Sequence, residues 1–480
     1  MRTNKQKKLK PGCLKLLAIL GSCFCLFLNN QTQNQVLANK IAEKNFRRLV
    51  GFENLPENKI IVIDLKSALR MALEKNLDLQ IQKYNLKEEK YKLLKSTAKF
   101  LPDLNLVNSF IRTKGNIQFT GDELLAIENE SYRGGANFSF GLFRGGKILF
   151  GWLASQKNFE KEKKIFNTKE QEILTEAIIS YFKLQANLAQ IKSGLSRIEK
   201  AQANLSNRKI ALEAGIDIGL NVLLAEQELE SAKSSLAVLK GRFYIESINL
   251  SKILNIELGT VLVPFEINEQ QLLKFGKEPV KYYASKLTKL ALANNPQILA
   301  ENLNYQSAKF EKKAIIGDFF PTLSIQANLG YLGSEPRRIK ENNQYSLRAD
   351  YDLTSLGSKK ILDFLQYSDF LEKNRIKLKQ KISEIASKAL SLFFEINAKQ
   401  KAYLASKKAL SVSEKAYEQA EARLKAGLSN PYELKVAQSD LELIRSNYYE
   451  TLVDFKISEI NLLQAIGLVS IENLTNGLQI

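Results

Sequence analysis

One pattern occurs twice in this chain, in step over several hundred residues. Ala72-Leu73-Glu74-Lys75-Asn76-Leu77 is followed by Leu101-Pro102-Asp103-Leu104, and Ala291-Leu292-Ala293-Asn294-Asn295-Pro296 by Phe320-Pro321-Thr322-Leu323. Ala72 and Ala291, Asn76 and Asn295, and Pro102 and Pro321 each stand 219 residues apart. Farther on, Gly146 matches Gly357 at an offset of 211, and Ala214-Gly215 matches Ala426-Gly427 at 212, as Ala225 and Leu229 match Ala437 and Leu441. Two unrelated amphipathic helical regions would not keep Pro, Gly and Asn in register, so the pattern is an internal duplication. Whatever one copy folds into, the other must repeat.

Each copy has the same order of elements. A helical segment (65–100, then 284–318) runs into Pro102 or Pro321, which ends it by lacking an amide donor and crowding the preceding turn. Period-two alternation follows, with Leu104, Leu106, Asn108 and Phe110 in one copy and Leu323, Ile325, Ala327, Leu329 and Tyr331 in the other. Polar loops are expected at Thr120–Tyr132 and Gly333–Asn343. Returning strands then carry Ala136, Phe138, Phe140 and Leu142, or Leu347, Ala349, Tyr351 and Leu353. Strands of about ten residues cross a bilayer when tilted. Phe138, Phe140, Tyr345 and Tyr351 would form a lipid-level girdle or pack inward.

A very long helix follows each hairpin. The 67 residues between Gly146 and Ala214 hold no proline, and at ~1.5 Å per residue they reach roughly 100 Å. After a turn at Gly215 or Gly427, a last helix shows alternating spacings of three and four. The seam is Val222, Ala225, Leu229, Ala232, Leu236, Leu239, Phe243, Glu246, Leu250 and Ile253, then Leu434, Ala437, Leu441, Ile444, Tyr448, Thr451, Phe455, Ser458, Leu462 and Ala465. Such spacing means paired helices with knobs-into-holes packing. Long helices that are polar off the seam suit a hollow bundle or an elongated coiled coil, not a globule.

The amino terminus reads as an export signal over residues 1–38. Arg2, Lys5, Lys7, Lys8, Lys10 and Lys15 precede an apolar run from Leu16 to Leu28, and Val36-Leu37-Ala38 supplies a cleavage site. An anchoring helix is the alternative, although the run is short for one. Leu20-Gly21-Ser22-Cys23 also looks like a lipobox, which would leave Cys23 lipidated. All three cysteines (Cys13, Cys23, Cys25) lie here and the chain has no histidine. Cleavage after Ala38 leaves 442 residues without Cys or His, and the net charge falls from +19 to +13. No Ser-His-Asp triad, Cys-His dyad or imidazole metal site is then available, so no catalytic, cofactor or metal site is expected. With Met1 and Met71 the only methionines, an intrinsic soft-metal relay is disfavoured.

The order helix–strand–strand–long helix–turn–helix, duplicated behind a signal, resembles the TolC-type outer-membrane efflux family. Three stretches carry the resemblance: Ala291–Pro296 with Phe320–Ser324; Leu142-Phe143-Arg144-Gly145-Gly146-Lys147; and Ala422–Asn430 continuing to Glu433-Leu434 and Ala437-Gln438. It spans about residues 60–470. It implies a mainly α fold with one β-hairpin per repeat, an α-helical coiled-coil barrel and a transmembrane β-barrel pooled by a homotrimer. It further implies an outer-membrane exit duct with a periplasmic helical part, working with a periplasmic adaptor protein and an inner-membrane transporter. No covalent chemistry is implied.

The resemblance also assigns expected sites. Gly215 and Gly427 would reverse the backbone at the helix turns, and the adaptor would dock at Gly427, Leu428 and Ser429. Glu433 takes the place of a gate carboxylate, a ring of three in a trimer, or else is a solvated first-turn residue favoured by the helix dipole. Val436 stands where a second acid is expected, and Asn221 is Glu433's neutral counterpart. Pro102, Pro321, Gly145 and Gly146 would mark structural junctions. The expected divisions are 1–38 signal, 39–64 periplasmic segment, 65–258 first repeat, 259–283 linker, 284–467 second repeat and 468–480 tail. Nucleic-acid binding is disfavoured, because lysines and glutamates are interleaved, as in Glu160-Lys161-Glu162-Lys163-Lys164. A periplasmic coiled-coil adaptor or structural protein is the rival reading. It shares the signal and helices, but such adaptors carry a single helical hairpin.

Overall fold

The computed structural model describes residues 60–120, 123–257, 259–265, 284–335 and 338–476. The signal, its cleavage site and Cys23 lie outside these residues, as does most of the expected linker. The first half comprises β1 (Ile60–Ile63), α1 (Leu65–Lys75), α2 (Leu77–Ala98), β2 (Asp103–Thr120), β3 (Glu123–Arg144), α3 (Lys147–Glu213), α4 (Gly219–Leu254) and β4 (Val261–Pro264). The second comprises α5 (Ala284–Asn294), α6 (Pro296–Ile316), β5 (Thr322–Gly333), β6 (Lys340–Glu341), β7 (Gln344–Asp350), α7 (Ser358–Lys425), α8 (Pro431–Ile466) and α9 (Ile471–Asn476). The duplication is plain in the lengths: α3 and α7 have 67 and 68 residues, and α4 and α8 have 36 each.

What reads as one helix before each hairpin is two. The break falls at Asn76 and again at Asn295, both extended in backbone (ψ 127° and 120°). Asn76 Oδ1 accepts from Leu79 N at 3.1 Å, and Asn295 Oδ1 accepts from Gln297 N at 2.9 Å, so each asparagine caps the following helix. Each amide then donates to the end of the last helix of its own repeat: Asn76 to Ile253 O and Asn295 to Ala465 O, both at 2.9 Å. One buried residue thus caps a helix and satisfies an orphan carbonyl of another, which is why Asn keeps step in both copies.

The elements line up four abreast at three levels. In the sheet the order is β2–β3–β5–β7, all antiparallel. Beside it α2, α3, α6 and α7 pack in that order. At the far end the row is α4, α3, α8 and α7. At every level the two inner members join the repeats, one outer member belongs to the first repeat and the other to the second. The main core sits midway along α3, where Ile173, Ile178, Phe182 and Ile191 meet α1, α4, α8 and the parallel β1–β4 pair.

The sheet has two unlike faces. Leu104, Leu106 and Phe110 share a face with Ala136, Phe138, Phe140, Ile325, Leu329, Tyr345 and Leu347. The opposite face carries Asn105, Asn137, Asn328 and Gln344 in one row. Three of the four expected girdle aromatics therefore lie on the apolar face. Tyr351 lies beyond β7, because the chain turns into a short 3-10 segment at Thr354–Gly357 instead of extending the strand through Leu353. The expected loop Thr120–Tyr132 is also corrected: β2 and β3 stay paired almost to the tip. Arg112 sits opposite Glu130 and pairs with Glu128 at 2.7 Å, and Lys114 stands opposite Glu128. Arg112, Lys114, Glu128 and Glu130 continue the apolar face as a charged row, which disguises that ladder as a loop.

Candidate functional site

The α3–α4 and α7–α8 turns lie at the end of the molecule remote from the sheet, and they are built alike. Gly215 has φ 69° and Gly427 φ 71°. Ile216 N donates to Ala211 O and Gly215 N to Leu212 O, at 2.9 and 3.0 Å. Leu428 N to Arg423 O and Gly427 N to Leu424 O repeat both distances. This is the Schellman arrangement, and its left-handed residue favours glycine because a Cβ would crowd the next carbonyl.

Past the turn the two tips diverge. In the second, Asn430 Oδ1 accepts from Glu433 N at 2.9 Å and so caps α8, while Ser429 Oγ donates to Glu433 Oε2 at 2.6 Å. In the first, Asp217 Oδ1 accepts from Asn221 Nδ2 at 2.5 Å and from Ile218 N at 2.8 Å, and its other oxygen accepts from Arg208 Nη1 at 2.9 Å. Asp217 and Ser429 are repeat equivalents, as are Asn221 and Glu433. Donor and acceptor have changed places, so each tip keeps one carboxylate in the same four-residue link.

Sequence reasoning placed the only acid at Glu433 and missed Asp217, four residues before Asn221 at the first tip. Its signal was the lone acid in Gly215-Ile216-Asp217-Ile218. The Asn221 amide, then the Arg208 guanidinium and the Ile218 amide, hold the Asp217 carboxyl down to about 2. A depressed carboxyl stabilises the fold above its ordinary pKa and loses that contribution only as pH falls through about 2. Protection of tip amides 214–221 against hydrogen exchange, corrected for intrinsic rates, should therefore be the same at pH 7 and pH 4. Asp217→Ala should lower it at both, and a wild-type loss near pH 4 would contradict the assignment.

The remaining expected residues fall at these tips or at the strand–helix junctions. Leu428 is 71% exposed and Ile216 83%, with Ile218 and Leu220 also exposed. Val436 is half-buried on α8 and supplies no second acid. Pro102 and Pro321 immediately precede β2 and β5. Gly145 and Gly146, at φ 58° and 78°, link β3 to α3, where Lys147 Nζ bonds Asp318 at 2.7 Å. Structure thus brings the two tips to one end and the four junction residues to the boundary between sheet and helices.

A family model described as outer membrane efflux protein matches residues 68–255 and 287–468. Over 170 residues the chain is 26% identical to the alkaline protease secretion protein AprF of Pseudomonas aeruginosa, 35% of this chain and 34% of that one. It is 21% identical over 202 residues to the proteases secretion protein PrtF of Dickeya chrysanthemi, 42% of this chain and 43% of PrtF. The chain therefore spans about a third of the length of AprF and under half of PrtF. Among solved structures, the Campylobacter jejuni CmeC outer membrane channel superposes with TM-score 0.72 at 13% identity, covering 84% of this chain and 85% of that one. The outer-membrane channel OprN gives 0.68 at 16%, covering 84% and 90%. These likenesses show the fold. The two matched blocks fall on the two structural repeats, one on each side of the linker, and the chain belongs to the outer membrane efflux protein family.

Proposed function

We propose that the protein is the outer-membrane exit duct of a tripartite efflux or type I secretion assembly, a homotrimer that conducts substrates passively from an inner-membrane transporter and periplasmic adaptor. The observation that carries this reading is the four-abreast row. β2 is left free at one edge of the sheet and β7 at the other. Unpaired strand edges are untenable in lipid, so copies must pool strands into a closed barrel. Because the free edges come from different repeats, the contact is head-to-tail and closes as a ring. The apolar face then meets lipid and the polar face lines the lumen. AprF and PrtF are named as secretion proteins, which supports the secretion arm of the proposal.

The helical tips are the periplasmic mouth in this reading. Glu433, exposed at the start of α8, would form a ring of three carboxylates that favours cations. Asn221, bonded to Asp217, would add no charge of its own. Gly427, Leu428 and Ser429 would present the adaptor-docking surface. Detergent-extracted protein from the outer-membrane fraction should have trimer mass and give a cation-preferring conductance in planar bilayers. Glu433→Gln should weaken that preference severalfold. Leu428→Glu should keep mass and conductance but lose co-purification with the adaptor. A soluble monomer without conductance would overturn the duct; unchanged adaptor binding would remove the docking role.

A further inference from the structure

The strand–helix junction carries a collar of lysines laid over aromatic rings. Lys312 Nζ stands 4.8 Å from the ring centre of Phe364. Lys313 Nζ lies 5.6 Å from Phe150 and 5.9 Å from Phe310. Lys360 Nζ lies 4.7 Å from Tyr351. The contributing segments are the end of α6, the first turns of α3 and α7, and the residue that follows β7. They converge at one level, where the apolar sheet face ends and the helices begin.

None of these three lysines has a carboxylate within ion-pair distance among the described residues. Lys147 at the same level differs, because Asp318 neutralises it at 2.7 Å. The collar is therefore three uncompensated cations per chain, each held against a ring by cation–π attraction. A lysine stem packed on apolar surface with its ammonium at the water boundary is the arrangement that suits a membrane interface.

We propose that this collar is a binding surface for the phosphate headgroups of anionic phospholipid in the leaflet nearer the helices. The inference rests on the duct reading, which puts the apolar sheet face in lipid. No helix among the described residues is long and apolar enough to cross a membrane, so the hydrocarbon boundary on this side falls at the strand–helix junction. Ammonium groups just outside that boundary meet headgroups directly. Each is worth about a fivefold gain in affinity for an anionic surface, and three together on the order of a hundredfold. The charge selects an anionic lipid, and the rings set the depth.

Native mass spectrometry of the full-length protein in detergent, with phosphatidylglycerol or phosphatidylcholine added, tests the site. Wild type should retain phosphatidylglycerol at least tenfold more strongly. The triple variant Lys312→Gln, Lys313→Gln, Lys360→Gln should lose that preference, and the corresponding triple Lys→Arg variant should keep it. Equal retention of both lipids by wild type overturns the proposal whatever the variants do. So does an undiminished preference in the Gln variant. The oligomer mass in the same spectra reports on the duct reading separately.

Discussion

Val238→Asp should reduce the assembly to monomers in size-exclusion chromatography with light scattering. Val238 is 55% exposed in a single chain, on the side of α4 opposite the buried Ala232, Leu236 and Phe243. Ile245 lies on the same side and is also exposed. On α7, Phe394 is 63% exposed, with Leu404 and Val412, on the side opposite the buried Ile385, Ala389, Leu392 and Tyr403. Each outer helix thus has two apolar stripes, and only one is used within the chain. In the proposed ring the second stripe would meet the repeat equivalent of the α3–α8 contact, because moving each member by the repeat offset turns that contact into α7 against α4 of another copy. Inside one chain that seam is polar: Gln190 Nε2 to Glu450 at 3.1 Å, Lys200 to Asp440 at 3.4 Å and Lys435 to Glu199 at 2.6 Å.

By the repeat offset of 212, the equivalent pairs between copies of the proposed ring would be Ala402 with Val238, Val412 with Glu228, and Ser411 with Leu223. The seam within a chain is charged; the corresponding seam of the proposed ring would be mostly apolar. A carboxylate at Val238 would be buried without a partner in every interface of the ring, at about several kcal/mol each. Adding Ala402→Lys restores an opposite charge in the deduced register and should recover assembly. Assembly of the single variant would place the copy-to-copy contact elsewhere.

The duplication and the long helices were legible because their signals are local and periodic. Glycine and proline punctuate them, and the three-four seam of α4 and α8 returns as buried Ala225, Leu229, Leu236, Phe243 and Leu250, and Leu441, Tyr448, Phe455 and Leu462. What escaped depends on partners far away in sequence. Asn76 reads as one polar residue in a helix until Ile253 O appears beside it, 177 positions along the chain. In the outer half of β2–β3 the face that is apolar nearer the helices turns to Arg112, Lys114, Glu128 and Glu130, so cross-strand charge pairing such as Arg112 with Glu128 marks the strand there. At the tips, position-by-position transfer found Asn221 but not Asp217, because the link survived while its donor and acceptor exchanged places. Seam charge was invisible for the same reason: it needs to be known which helices touch.

Gly145→Ala should prevent recovery of folded protein from the membrane, while Gly357→Ala should be tolerated. Both glycines have positive φ, 58° and 81°, so both substitutions carry the left-handed penalty of about 1–2 kcal/mol. Their surroundings separate them. A Cβ on Gly145 would lie 2.0 Å from Gly317 O and 2.7 Å from its carbonyl carbon, whereas one on Gly357 would meet nothing within 4 Å. The obstruction is backbone, not a side chain that can rotate. Gly317 is itself buried at the end of α6, and a Cβ there would lie 2.6 Å from Gly145 O. Lys147, two residues after Gly145, and Asp318, the residue after Gly317, are bonded at 2.7 Å and fix the approach. Relief would have to separate the first repeat's strand–helix junction from the second repeat's, at the level where the sheet meets the helices. Leu356 occupies Gly145's place in the second repeat, so the close approach belongs to the contact within the chain and is not repeated by the equivalent residues. Heat resistance of the purified assembly should fall by a few degrees for Gly357→Ala. An equal, small loss for Gly145→Ala would show that the junctions can part without unfolding the sheet.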